Sequence, residues 1–292
     1  MDSADGPRGP VLACPVCWQP LVRDGGVVRC GGGHSFDVAR EGYVNLLLAH
    51  QRHSRDPGYS REMNAGRSEF FGTGHYERLA DEIAGLVRSR LPPEGSPVVI
   101  DAGCGEGYYL RRLRLALAGR ERRAGAVLCG LDISRHAIRA AARRDPEGSY
   151  AVAGSYRLPV LPGRADVLLS HFSPVSADDF RRVVRPGGMV LIGGPGHGHL
   201  YSFKELIYDM PVRHEPAEPL AGQDGFDLVG RHQIRYRIAL RGAGQVASLL
   251  AMTPYYWSAG PQTQARLAAT ESLDTEVDVI VHAYRRVGAA IC

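Results

Sequence analysis

Lysine is almost missing from this chain: Lys204 is the only one among 292 residues, and arginine supplies the rest of the 35 basic side chains. A bias this complete follows from GC-rich coding DNA, so it says little about phosphate binding. Long hydrophobic runs are absent too, and none approaches the roughly 18 apolar residues a membrane span needs. Met1 to Ala13 carry no basic stretch leading into an apolar core, which excludes a secretory signal and makes a cytoplasmic location without membrane attachment the expectation. There is no internal repeat and no low-complexity tract, so solenoids and arrays are out. The sequence has no Gly-Lys-Ser/Thr after a glycine loop, which excludes a P-loop. What remains is ordinary for a soluble globular chain, with 44% hydrophobic and 23% charged residues and a formal charge of +4.

The most informative stretch is Asp101-Ala102-Gly103-Cys104-Gly105-Glu106-Gly107, directly after Val98-Val99-Ile100. An acid ends a buried strand, and glycines at every second position follow before a helix. That is how a doubly wound α/β domain opens its backbone to a nucleoside. The dinucleotide fingerprint G-x-G-x-x-G fails here, because position 108 is Tyr. The next strand, Val127 to Asp132, ends in an acid that can hold ribose hydroxyls. The two acid-tipped strands point to S-adenosylmethionine as cofactor. Cys104 and Cys129 sit in this apolar frame and read as buried packing residues.

Half of the six cysteines fall in the first thirty residues, in the spacing C-x2-C-x12-C-x3-H formed by Cys14, Cys17, Cys30 and His34. A Cys-x2-Cys knuckle presents two thiolates to one ion, and a second knuckle about a dozen residues on closes a tetrahedron. Between them, Pro20 to Arg29 reads as a hairpin turning on Asp24-Gly25-Gly26. Four protein ligands leave no open position, so the zinc expected here is structural. A module this small has too little core to fold without it.

Helix and strand then alternate as a parallel sheet requires. Strands are expected at 97–101, 126–132, 150–153, 165–169 and 189–192, with helices near 107–118, 138–144, 177–184 and 201–209. A helix is also expected over 60–71, and His75-Tyr76 opens an amphipathic one that Leu91-Pro92-Pro93 stops. Residues 50–60 read as a loop. Gln233 to Ile238 alternates as an antiparallel strand, 242–252 is helical, and 277–283 closes the sheet. Residues 111–144 hold ten arginines against Glu121 and Asp132. Those arginines are either solvated helix faces or a surface for nucleic acid phosphates.

Taken together, these motifs resemble the bacterial 23S ribosomal RNA guanine-N1 methyltransferases, some of which give macrolide producers resistance to their own antibiotic. The likeness rests on the Cys14-Pro-x-Cys17 knuckle with Cys30 and His34, Phe36 to Leu47, Ser54 to Gly58 and Gly74-His75-Tyr76. It continues through the Asp101–Tyr109 loop, Gly130 to Ser134, Arg157-Leu158-Pro159, Arg185 to Gly188, Gly196 to Leu200 and Met252-Thr253-Pro254. It implies an α/β class I methyltransferase, Rossmann-like, with a mostly parallel seven-stranded sheet and a small N-terminal zinc ribbon. The divisions expected are 1–48 for the ribbon, 49–96 for a linker and helical lead-in, and 97–292 for the methyltransferase domain. By the resemblance, Tyr76, Gly105, Glu106 and His199 contact the cofactor, the chain is a homodimer, and the ribbon lobe helps hold RNA. Asp101, Gly103, Asp132 and Ile133 join the cofactor set from the loop itself.

The chain departs from the family at Ser170-His171-Phe172-Ser173-Pro174, where the family tends to show Arg or Asn, an aliphatic, an aromatic, then Ala-Pro. The loop lies at the carboxyl edge of the sheet, where the methyl acceptor must approach. His171 is the candidate base there, on the ground that a free imidazole titrates near 6.5. Residues 1–75, with eight arginines and eight acids, are neutral for a lobe that grips RNA. Two acceptors are therefore carried forward: a guanine N1 in a 23S rRNA hairpin, or a small N-heteroaromatic such as an indole. Tyr255-Tyr256-Trp257 offers a stacking platform for the first. A non-catalytic zinc-ribbon binding protein is the third reading, disfavoured because both acids and the glycine loop are intact.

Overall fold

The structure is a computed structural model that describes residues 5–6, 9–51, 61–118, 125–253 and 260–288. Ser54 to Gly58 and Tyr255-Tyr256-Trp257 lie outside the described residues, as do Pro254, Cys292 and most of the 50–60 loop. Three short antiparallel strands build the ribbon: β1 (Val22–Asp24), β2 (Val27–Arg29) and β3 (Ser35–Asp37). Then come β4 (Val44–Asn45), α1 (Arg61–Gly72) and α2 (Glu77–Arg90). The central alternation is β5 (Val98–Ala102), α3 (Tyr108–Leu117), β6 (Val127–Asp132), α4 (Arg135–Arg144) and β7 (Ser149–Val152). It continues as β8 (Ala165–His171), α5 (Ala177–Val183), β9 (Val184–Pro195) and α6 (Tyr201–Ile207). Last are β10 (Phe226–Arg241), α7 (Ala243–Ala251), α8 (Pro261–Ala268) and β11 (Ser272–Arg286).

One eight-stranded sheet runs β10-β11-β9-β8-β5-β6-β7-β4. The strands from β4 to β9 are parallel, and β11 and β10 are antiparallel additions at the other side. All residues of β5 and β8 are buried, because helices cover both faces and leave no solvated side to alternate with. The edge strand β10 does alternate: Ile234, Ile238 and Leu240 are buried while Arg235, Arg237 and Arg241 are exposed.

Seven strands were expected and eight are found. The extra one is β4, contributed by the N-terminal segment, whose Val44 and Asn45 pair with Ala151 and Val152. Its two-residue length gives no periodicity to read. The ribbon is fastened a second time where Leu12 bridges Val160, with Ala13 N–H donating to the Pro159 carbonyl at 2.9 Å and Leu161 N–H to the Val11 carbonyl at 3.0 Å. Val11, Leu21, Val28 and Leu46 share one apolar cluster with Ile100, Leu131 and Leu168. The ribbon therefore borrows the core of the sheet. Among the described residues no helix is long and apolar enough to cross a membrane.

Two differences from the sequence reading have local causes. Residues 185–188, between the helix expected to 184 and the strand expected from 189, lie within β9, where a register shift against β8 absorbs them and Gly187 takes φ +74. Helix α4 begins at Arg135, three residues early, because Ser134 caps it by accepting from Ala137 N–H.

Candidate cofactor and metal sites

The ribbon's two knuckles face each other. Trp18 N–H donates to the Cys14 carbonyl at 2.8 Å in the first, and Gly33 N–H to the Cys30 carbonyl at 3.1 Å in the second. The ligand atoms of Cys14, Cys17, Cys30 and His34 all lie within 4.8 Å of one another. Cys17 Sγ is 3.5 Å from Cys30 Sγ, and Cys30 Sγ is 3.4 Å from His34 Nδ1. Zn–S bonds of about 2.3 Å at tetrahedral angles place sulfurs close to this spacing, so the donor set fits zinc in size and in chemistry. Burial raises the Cys30 thiol, but hydrogen bonds with His34 and nearby backbone outweigh it and bring the thiol to about 6, towards the thiolate a metal needs. The Cys14 thiol is raised, chiefly by burial.

At the tip of β5 the chain turns through Gly103 at φ +89, Gly105 at φ +55 and Gly107 at φ +74. A Cβ on Gly103 would meet Ser173 Cβ at 2.4 Å, and one on Gly105 would crowd the Arg67 guanidinium at 3.4 Å. Both positions need glycine for conformation, and Gly103 for space as well. The loop is held from β6: Gly103 N–H donates to the Leu131 carbonyl at 2.8 Å, and Gly105 N–H to Asp132 Oδ2 at 2.9 Å. Asp132 Oδ1 accepts from Ser134 N–H at 2.8 Å. Asp132 is raised, first by burial, and Asp101 is pushed up to about 7 by burial and then by Asp132. Asp101 is 1% exposed and its Oδ2 has no hydrogen-bond partner in the protein. A buried, orphaned carboxylate oxygen beside a bare-backbone turn suits a cationic ammonium, such as the one on the methionine end of S-adenosylmethionine.

Two cavities open along this edge. The larger, about 890 Å³, is lined by Gly103, Asp132, Ile133, His171, Tyr156 and Arg157 among others. The smaller, about 270 Å³, is lined by Tyr76, Tyr109, His199, His214, Met252 and Thr253 among others. Arg67 and Phe172 line both. The cofactor residues expected from sequence thus divide: Gly103, Asp132 and Ile133 face the larger cavity, Tyr76 and His199 the smaller. Asp101, Gly105 and Glu106 line neither; Ser68 Oγ donates to the Glu106 carboxylate and Arg144 pairs with it at 2.8 Å.

His171 ends β8 with 3% exposure and no partner on either ring nitrogen. Gly193 makes room for the ring, since a Cβ there would stand 2.3 Å from His171 Nδ1. Burial pushes His171 down to about 4, which corrects the expected titration near 6.5. The imidazole is neutral at pH 7, with a lone pair to offer and weak basicity. His199 is lowered further, to about 3, by burial and then by His214, and its Nδ1 accepts from Asp278 N–H at 3.3 Å. Phe172, 41% exposed, stacks on His199 at 5.4 Å and adopts φ +53, a conformation that costs a non-glycine residue about 1–2 kcal/mol.

Four of the ten arginines at 111–144 pair with acids of the chain among the described residues. Arg112 pairs with Asp81 at 2.6 Å, Arg114 with Asp145 at 2.7 Å, Arg139 with Glu41 at 2.7 Å and Arg144 with Glu106 at 2.8 Å. Cys104 and Cys129 are buried as expected, and burial drives both thiols upward, Cys129 to about 12.

Sequence reasoning missed Arg67 and Tyr156. For Arg67 a signal exists: Met63, Arg67 and Phe71 fall at four-residue steps on α1, so an arginine interrupts an apolar stripe. Gly66 lets α1 approach α7, since a Cβ there would lie 2.5 Å from Ala251 Cβ. That crossing brings Arg67 over the glycine loop.

Fold, loop and cysteine cluster define an S-adenosylmethionine-dependent class I methyltransferase that carries a structural zinc ribbon. Residues 12–55 match the RlmA N-terminal zinc-ribbon family, and residues 100–192 match a methyltransferase domain. The 23S rRNA (guanine(748)-N(1))-methyltransferase of Streptomyces fradiae is 36% identical over 88% of this chain and 90% of its own length. A Micromonospora griseorubida protein provisionally assigned as a 23S rRNA (guanine-N1) methyltransferase is 36% identical over 89% of this chain and 92% of its own. A provisionally assigned Bacillus subtilis counterpart is 30% identical over 92% and 95%. The chain belongs to the 23S rRNA (guanine-N1)-methyltransferase family.

Proposed function

We propose that this enzyme methylates N1 of a guanine in a 23S rRNA hairpin, acting as a homodimer in the cytoplasm. The observation that carries the acceptor is the likeness to the Streptomyces fradiae enzyme, which runs through ribbon and sheet alike. A role in antibiotic self-resistance is part of the same proposal and rests on the resemblance alone. Cys14, Cys17, Cys30 and His34 hold the zinc. Asp132 and Ile133 receive the adenosine, Gly103 and Gly105 give it bare backbone, and Asp101, Tyr76 and His199 face the methionine end.

The cofactor supplies a methyl group activated on a sulfonium; the protein's part is alignment and exclusion of water. Phe172 and Tyr156, 41% and 66% exposed, present rings at the mouth of the larger cavity, where an extruded base can stack. His171 lies behind Phe172 and accepts the N1 hydrogen. Its weak basicity suffices, because N1 becomes strongly acidic as the methyl carbon bonds to it. When bound, S-adenosylmethionine would supply the methyl group and keep the sulfur's electron pair, while His171 would take the proton that N1 gives up.

The test is incubation of zinc-loaded protein with labelled cofactor and an unmodified 23S rRNA hairpin or a small-metabolite extract. Nucleoside mass spectrometry should find 1-methylguanosine in the RNA. Label found only in a small heteroaromatic would move the acceptor to that class, which the Ser170–Pro174 departure favours.

A further inference from the structure

We infer that the Arg67 guanidinium holds the carboxylate at the methionine end of S-adenosylmethionine. The inference rests on the reading of both cavities as one cofactor site. It extends that reading to a residue outside both the glycine loop and the residues carried over by resemblance.

Arg67 reaches both cavities from α1, while Gly103 of the glycine loop and Asp132 border only the larger one. A ligand with its adenosine at Asp132 and its tail at Tyr76 must pass Arg67. The guanidinium lies above Gly105, where a Cβ would stand 3.4 Å from its central carbon, and it packs on the Phe71 ring at 5.4 Å. That contact rests the guanidinium on an aromatic face, a setting that suits arginine and not lysine.

Charge balance points the same way. Asp132 is the acid that lines the larger cavity, and Arg67 is a cation that stabilises both its carboxylate and that of Asp101. The cofactor brings two positive groups, sulfonium and ammonium, and one negative group. The acids suit the positive groups, and the carboxylate needs a permanent cation. Burial keeps His171, His199 and His214 from supplying one. Arg157, the other arginine lining the larger cavity, lies over the Trp18 ring at 5.1 Å on the ribbon side. Arg67 is the guanidinium beside the loop.

The decisive comparison uses two ligands that differ only in that carboxylate: S-adenosylmethionine and its decarboxylated form. Calorimetry on zinc-loaded wild-type protein should show the decarboxylated compound binding about tenfold or more weakly, as loss of a charge-assisted pair requires. Arg67→Met keeps the stem on Phe71 and should bind the two about equally, with affinity for the decarboxylated compound little changed. Arg67→Gln is the second variant should Met disturb the thermal midpoint. Equal affinities in the wild type, or an undiminished preference in a folded variant, would overturn the inference and leave the cofactor site standing. Failure of both ligands to bind the wild type would overturn the cofactor reading itself, and the inference with it.

Discussion

In the zinc ribbon, all four ligands come from residues 14 to 34, and two tight knuckles bring their atoms within 4.8 Å. Around the two cavities, residues from Leu47 to Thr253 contribute, carried by α1, the carboxyl ends of β5 to β9 and the segment after α7, among others. The first site is local and depends on an ion to hold it; the second is assembled by the sheet. The regions are nonetheless joined, through β4, the Leu12–Val160 bridge and Trp18, which sits between Arg157 at 5.1 Å and Arg182 at 5.0 Å. Arg157 lines the larger cavity, so damage to the ribbon should reach the acceptor mouth.

The largest effect should come from removing the metal. Structural zinc contributes on the order of 10 kcal/mol to small modules. Cys14→Ser with Cys17→Ser, or strong chelation, should therefore unfold residues 11–47. Because the ribbon shares its apolar cluster with the sheet, the thermal midpoint of the whole chain should fall as well. Differential scanning calorimetry with metal analysis checks this; an unchanged single transition after zinc loss would show that the two regions are independent.

Asp132→Ala comes next and acts on the other region. It removes the carboxylate that accepts from Gly105 and Ser134 and faces the adenosine. Affinity for S-adenosylhomocysteine should drop about a hundredfold, the loss of charge-assisted bonds of about 1.5–3 kcal/mol each, while bound zinc stays stoichiometric. Loss of zinc from this variant would erase the distinction between the sites.

The ribbon and the glycine loop were legible because their chemistry is written in short spacings: C-x2-C-x12-C-x3-H in one, and alternating glycines behind Asp101 in the other. The succession of strands and helices along the chain followed from the alternation of apolar runs; their order in the sheet did not. Arg67 and Phe172 were harder. Each reaches the cavities through a tertiary feature that no spacing encodes, namely the Gly66–Ala251 helix crossing and the left-handed backbone at 172. His171 was picked out, but its pKa was misjudged, because burial on all sides is a property of the assembled sheet. Four of the arginines of 111–144 read as surface excess only until Asp81, Asp145, Glu41 and Glu106, distant in sequence, are seen beside them.

Phe172→Gly sharpens the account of the cavity edge. It relieves the left-handed strain and loses a half-exposed ring, so stability should hold or rise by about 1 kcal/mol. Methyl transfer should fall about ten- to a hundredfold, read as kcat/KM for RNA. A drop in stability with activity kept would make the ring a packing element only.

The smallest effect is a pH dependence. His171 titrates near 6.5 when unfolded and near 4 when folded, so the unfolded chain binds more protons between those values. The stability it contributes is present above about pH 6.5 and lost as the pH falls towards 4. His171→Gln should lose about 1–3 kcal/mol less than wild type over that window, measured by urea denaturation. Parallel wild-type and variant curves would place the imidazole in contact with water.

The account depends most on the two cavities forming one S-adenosylmethionine site beside the glycine loop. Hydrogen–deuterium exchange of the zinc-loaded chain, with and without S-adenosylhomocysteine, tests it most directly. The account predicts joint protection of residues 103–107, 131–134 and 67–76, with the ribbon unaffected. Protection absent from the glycine loop, or no change at saturating ligand, would contradict it.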